Sequence, residues 1–107
     1  MEQDEHVTPV IFRKEQDGSI TAVFPTMPWD TWGHQMTIYC HVGQHGAASF
    51  DWYNGTSKPQ PHEYVDLMRE LEGFGYKFKV YQRWQPSLMK RFRQNARAMQ
   101  CQKEWLP

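Results

Sequence analysis

Hydrophobic and polar residues alternate along several short stretches of this chain, which is the pattern of β-strands that bury one face. Residues 10–16 and 19–24 flank an Asp-Gly dipeptide, which suits the positive φ angles of a type I′ turn, so we predict a β-hairpin. Pro25 and Pro28 lack the N–H group that a sheet ladder needs. The segment PTMPWDTWGH is therefore expected to be a loop that leads away from the sheet.

A second hairpin is predicted where residues 35–42 alternate and the segment AASFDWYN alternates in return. Opposing Gly43 with Ala47 keeps apolar residues on one face, because a one-residue slip would bury an aspartate. The loop then ends at Gly46, which is expected to adopt the left-handed conformation. The pairs expected on the inner face are Val42 with Ala48, Cys40 with Phe50, and Ile38 with Trp52. The pairs expected on the outer face are His41 with Ser49 and Tyr39 with Asp51.

The spacing of apolar residues changes to a helical period in two places further along. Pro61 suits a first helical position and Gly73 a helix end, which predicts a helix between them. The segment YKFKVYQRW alternates as a strand, and residues 86–104 predict a basic C-terminal helix with Leu88, Phe92 and Ala96 in one apolar stripe. The order hairpin, hairpin, helix, strand, helix predicts an α+β fold with a mostly antiparallel sheet of about five strands and helices packed on one face. We expect a single domain over residues 1–107, with a flexible N-terminus at residues 1–8.

The chain has a formal net charge of zero, but its two ends carry opposite charge. Residues 1–72 contain eleven acidic and four basic residues, whereas residues 73–107 contain eight basic residues and one acidic residue. Such asymmetry is a recognised indication of an acidic partner. The alternative is that the two parts attract each other within the fold, where exposed ion pairs contribute little.

The segment CHVGQHG suggests chemistry, yet its spacing does not specify a site. Adjacent strand residues point to opposite faces, so Cys40 and His41 are poor joint metal ligands, and the paired cysteines of zinc sites are absent. The candidates for a metal site are His41 and His45 at the end of the hairpin, joined by His34 or His62. The candidates for an acid-base cluster are Tyr39, His41 and Asp51. Cys40 is expected to be buried and inert. With no phosphate-binding glycine loop, no cofactor is predicted, and the sequence favours a role other than catalysis.

The strongest functional candidate is the basic C-terminal part, in which aromatic residues are interleaved. A protein-binding module that uses this surface is the first hypothesis, and a nucleic-acid-binding accessory protein is the alternative. The pI of 7.0 counts against nucleic acid. A small enzyme or metal-binding protein that uses His41 and His45 is the second alternative. The residues assigned to the binding surface are Lys77, Lys79, Tyr81, Arg83, Lys90, Arg93 and Arg97.

Location and partners follow from what the sequence lacks. No apolar run is long enough to span a bilayer, the first residues are acidic, and two cysteines do not form a disulfide framework. We therefore expect a cytoplasmic protein with no membrane partner, and both cysteines as free thiols. The oligomeric state is left open.

Three segments carry a resemblance: VIFRK with AVFP, YCHVGQHGAASFDWY, and HEYVDLMRELEGFGYKFKV. Together they resemble a group of small uncharacterised bacterial and phage or mobile-element proteins with a first hairpin, an H-V-G-Q-H turn and a helix that ends in glycine before a strand. The resemblance covers about residues 10–80 and implies that residues 41–45 matter, either as a turn or as a binding motif. It brings no catalytic residues, and the basic tail lies outside it.

Overall fold

The computed structural model describes residues 7–40 and 45–105, with the backbone alone for residues 100–105. The α+β class is confirmed: five strands form one mixed, mostly antiparallel sheet in the order β4-β3-β2-β1-β5, with β5 parallel to β1. Among the described helices, none is both long enough and apolar enough to cross a membrane. The elements are β1 (Val7–Lys14), β2 (Ile20–Pro28), β3 (Gln35–Tyr39), β4 (His45–Ser49), α1 (Phe50–Asn54), α2 (Pro61–Glu72), β5 (Lys77–Tyr81) and α3 (Pro86–Trp105).

The two long helices lie on opposite faces of the sheet, so the expectation that helices pack on one face is wrong. Leu67 and Leu71 of α2 pack on one face, which we call the α2 face, and Leu88 and Phe92 of α3 pack on the other, the α3 face. The reason is visible in β1, where four consecutive residues from position 9 are buried, as in strands that are covered on both sides. Hydrophobic alternation is therefore weakest in the central strands.

The first hairpin is confirmed, but its turn is longer than predicted. The amide of Glu15 donates to the carbonyl of Ser19 at 2.8 Å, and the amide of Gly18 donates to the carbonyl of Glu15 at 2.9 Å. These bonds enclose a three-residue loop rather than a two-residue type I′ turn, with Gly18 at φ 90°. β2 also continues through Pro28, so the loop expected there begins later. Proline is tolerated in this strand because the register against β3 shifts between Phe24 and Pro28.

The register predicted for the second hairpin is wrong. Ile38 pairs with Gly46 and Tyr39 with His45, so the connecting loop is longer than three residues. β4 ends at Ser49 because this residue caps α1: its side-chain oxygen accepts a hydrogen bond from the amide of Trp52 at 3.1 Å. The segment predicted to continue as a strand is therefore a short helix.

Three expectations for this hairpin change as a result. Gly46 lies within β4 and has no left-handed conformation, so a turn does not explain it. Cys40 is a free thiol that is half-buried just after β3, and it does not pair with Phe50, which belongs to α1. Tyr39, predicted to lie on an outer face, is fully buried because α2 covers that face. Residues 41–44, which include His41 and Gly43, lie outside the described residues.

The later elements agree with the sequence. Pro61 begins α2, and the amide of Gln60 donates to Glu63 Oε1 at 2.8 Å. The basic strand β5 lies at an edge of the sheet, and α3 spans the expected helix. At the other end, β1 begins at Val7, so the last two residues of the predicted flexible N-terminus belong to a strand, while residues 1–6 lie outside the described part of the chain.

Candidate functional site

The predicted acid-base cluster does not form between its described members. Tyr39 points to the α2 face, where its hydroxyl donates to Glu70 Oε2. Asp51 is exposed on α1, which packs on the α3 face through Tyr53. Tyr39 and Asp51 are therefore on different sides of the sheet, and His41 lies outside the described residues.

The histidines do not form a metal site in the part of the chain that the structure describes. No group of three or more His, Cys, Asp or Glu side chains could hold an ion among these residues. His45 is exposed on β4, and its ring centroid lies 4.8 Å from that of Tyr39, edge to face. The contact that the structure shows for His45 is therefore aromatic packing against Tyr39.

The basic residues of β5 share the side of the sheet on which α3 lies. Tyr81 packs on the α3 face, and strand alternation places Lys79 and Lys77 on the same side. The Lys79 ammonium lies 5.3 Å from the centroid of the Tyr81 ring, within cation–π range. Both residues line a surface pocket of about 390 Å³ together with Arg91 of α3, which the sequence assignment had omitted.

Over residues 86–99, the exposed side of α3 is rich in basic side chains. Lys90, Arg93 and Arg97 are all exposed, as predicted. Arg93 and Arg97 are one helical turn apart and line two adjacent cavities, one of about 350 Å³ beside Lys90 and one of about 410 Å³ toward the β2–β3 loop. Arg83 is exposed in the segment between β5 and α3.

Trp32 in the β2–β3 loop is a second residue, besides Arg91, that the sequence analysis does not assign to the binding surface. Its side chain is 70% exposed, and it lines the larger cavity with His34, Arg93 and Arg97. An available signal was the pair of tryptophans in a turn-rich segment bounded by Pro28 and Gly33, because binding residues lie disproportionately on loops.

Hydrogen bonds and close packing hold this loop in place. The amide of His34 donates to Asp30 Oδ1 at 2.9 Å, and the amide of Trp29 donates to the carbonyl of Gln35 at 2.8 Å. Gly33 has φ 74°, and a β-carbon at that position would lie 3.4 Å from Cβ of Ala96 on α3. The backbone of the loop therefore rests on the helix, and this places Trp32 at the cavity that Arg93 and Arg97 also line.

Two of the aromatic residues interleaved in the basic C-terminal part, Trp84 and Phe92, pack in the hydrophobic cluster of the α3 face. The Trp84 ring lies 5.5 Å from Phe50 and 5.6 Å from Phe92, and Phe92 is 1% exposed. Burial also raises the pKa of the Tyr53 hydroxyl in the same cluster. In this part of the chain, Trp84 and Phe92 therefore face the core, while the basic side chains of α3 face outward.

The acidic and basic parts of the sequence are also separated in the folded structure. α2 carries four acidic side chains and one basic, a net −3, whereas residues 86–99 of α3 carry four basic side chains and none that is acidic. The sheet separates the two helices. Between described residues, the one ion pair is Lys14 with Glu63 at 2.7 Å, and neither residue belongs to the basic C-terminal part. No described contact supports the alternative in which the two ends neutralise each other.

No protein-family model, curated protein or solved structure matches this chain.

Proposed function

We propose that the protein binds nucleic acid on a surface formed by Lys79, Lys90, Arg91, Arg93, Arg97 and Trp32, which we call the α3 surface. The observation that carries the proposal is the composition of the exposed side of α3. Over residues 86–99 its exposed residues include four cations, no carboxylate, and no aromatic or branched aliphatic side chain. Lys and Arg in such a row can neutralise successive phosphates and release their counterions.

The balance of polar and apolar residues favours a polyanion over a protein at this surface. The centre of a protein–protein interface is depleted in charged residues, whereas interfaces with nucleic acid are more polar and much more positive. The pI of 7.0, which counted against nucleic acid, is an average over two opposed helices. A polyanion on α3 would lie across the sheet from the acidic α2, so the carboxylates of α2 do not oppose binding directly.

A protein partner, the first hypothesis from the sequence, is retained as the second candidate because of Trp32 and Met89. Trp, Met and Arg are enriched in protein interfaces and, for Trp and Arg, in their hot spots, and Trp32 and Met89 both line cavities with Arg93. Such a partner would present carboxylates to the arginines. The cytoplasmic location predicted from the sequence is compatible with either partner.

The test is fluorescence anisotropy of a labelled oligonucleotide, measured over a range of salt concentrations. If each of the five cations of the α3 surface binds one phosphate, the slope of log K against log salt for a single strand is no steeper than about −3.5, at about 0.7 per phosphate. The Arg93→Gln/Arg97→Gln variant should weaken binding and reduce the slope by about 1.4. The matched control is Lys58→Gln/Arg69→Gln, which removes the same charge from exposed positions that do not belong to the α3 surface and should change the slope far less.

Two results would overturn the proposal. One is the absence of oligonucleotide binding at low salt. The other is binding of a poly-glutamate peptide in preference to the oligonucleotide, which would select the protein candidate.

A further inference from the structure

We infer that the cavity between the β2–β3 loop and α3 holds one unpaired nucleotide of a single strand, with its base stacked on Trp32 and its phosphate bound by Arg93 and Arg97. This inference rests on the proposed function and names the form of nucleic acid that the α3 surface takes.

The exposure of Trp32 indicates a stacking partner rather than a role in the core. The side chain is 70% exposed, while Trp84, Phe50 and Phe92 pack together on the α3 face and leave Trp32 outside that cluster. An aromatic face accepts any base, and cations at its edge attract the phosphate that accompanies the base. Trp32 lines the same cavity as two arginines, so one nucleotide can satisfy both groups at once.

An unpaired base is required because of the geometry of a duplex. Paired bases are stacked on one another, and a duplex presents only their edges in its grooves. The face of a base becomes available to an aromatic side chain when the strand is single or the base is unstacked. Stacking on Trp32 therefore distinguishes single strands from duplexes, whereas Arg93 and Arg97 attract the phosphates of both.

The backbone of the loop is held by local contacts in the absence of any ligand. The hydrogen bond from the His34 amide to Asp30 Oδ1 and the close approach of Gly33 to Ala96 hold the backbone of the segment that carries Trp32. On the helix side, Asn95 Nδ2 donates to the carbonyl of Thr26 at 2.7 Å and ties α3 to β2. A platform that is ordered before binding loses little conformational entropy when the base arrives.

The size and continuity of the cavities suggest a path for the strand. The cavity at Trp32 measures about 410 Å³, which suits one small ligand rather than several nucleotides. Arg93 and Arg97 also line the neighbouring cavity of about 350 Å³ beside Lys90. The strand would leave the Trp32 cavity across the arginine pair and continue along the helix.

The experiment compares a labelled oligothymidylate with a labelled duplex, using the wild type, Trp32→Ala, Trp32→Phe and the control Trp29→Ala. Trp29 belongs to the same loop and is 49% exposed, but it does not line the cavity. Trp32→Ala should reduce single-strand affinity roughly fivefold to a hundredfold, leave duplex affinity unchanged and leave the salt slope unchanged, because stacking releases no counterions. Trp32→Phe should keep most of the affinity, and Trp29→Ala should match the wild type.

The outcomes separate this inference from the proposed function. If single strand and duplex bind equally and Trp32→Ala has no effect, while Arg93→Gln/Arg97→Gln weakens both, the inference is overturned and nucleic-acid binding stands. If neither probe binds at low salt, the proposed function fails and the inference fails with it. If Trp32→Ala weakens binding of poly-glutamate instead, the cavity serves a protein partner and the inference is overturned.

Discussion

Gly33 links the backbone of the β2–β3 loop to the α3 surface. Its replacement by alanine tests whether this backbone is left-handed and whether the position of the loop matters for binding. The residue has φ 74°, a region that L-residues adopt at a cost. A β-carbon there would lie 3.4 Å from Ala96 Cβ and 3.6 Å from Phe92 Cε2, which are ordinary contact distances. Gly33→Ala should therefore strain the backbone without a serious clash.

The φ angle of Gly33 and the space around it set the expected loss in the free energy of unfolding. A left-handed alanine costs about 1 to 2 kcal/mol, and the lower entropy of the unfolded alanine chain offsets about 0.4 to 1 kcal/mol of it. We expect Gly33→Ala to reduce the free energy of unfolding by about 1 kcal/mol, or about 4 to 8 °C in Tm. Gly18→Ala is the matched control, because Gly18 has φ 90° with no atom near its β-carbon position. The two variants should lose similar stability.

The two variants should differ in binding. Strain at Gly33 is relieved most easily by a shift of the loop, which moves Trp32 relative to the arginines, whereas Gly18 lies in the turn between β1 and β2. Urea unfolding gives the stabilities, and oligonucleotide anisotropy gives the affinities. The reasoning is refuted if Gly33→Ala is as stable as the wild type, since the backbone would then not be left-handed. It is also refuted if Gly18→Ala reduces affinity as much as Gly33→Ala does.

Three further predictions concern the fold. The hydrogen bond from Lys14 lowers the pKa of Glu63 below its usual 4.5, so its carboxylate stabilises the fold above that pH, and the contribution is lost as the pH falls through the folded-state pKa. Urea unfolding across this range should show less acid destabilisation for Glu63→Gln than for the wild type, and equal curves would contradict the pairing. Ser49→Ala should reduce the free energy of unfolding by about 1 kcal/mol through loss of the α1 cap, whereas no loss would favour a continuous strand. Tyr39→Phe should cost about 1 to 3 kcal/mol, and a double-mutant cycle with Glu70→Ala should show coupling, because the hydroxyl donates to that carboxylate.

Features specified by neighbouring residues could be predicted from the sequence. The first hairpin depends on a turn between two β-prone segments, and α2 depends on Pro61 at its start and Gly73 at its end. The apolar stripe and the basic side of α3 follow from helical spacing alone. The basic residues of the candidate site could therefore be predicted from the sequence.

The place of Trp32 in the candidate site could not be predicted from the sequence, because it depends on contact between distant segments. Trp32 and Arg93 are far apart in sequence and meet only because Gly33 packs against α3. The predicted register of the second hairpin was wrong for a related reason. Hydrophobic alternation through Phe50 is compatible with a strand, and the cap at Ser49 is recognisable only when the helix that follows has a core to pack on.

The sequence by itself determined the α+β class, the local elements and the division of charge between the two ends of the chain, because each depends on residues close together in the sequence. Tertiary structure decided that both sheet faces are covered, that α2 and α3 lie on opposite sides, and that a loop tryptophan stands beside two arginines. These features depend on strand order and on packing across the sheet, since the same amphipathic helix can cover either face until the whole core is assembled.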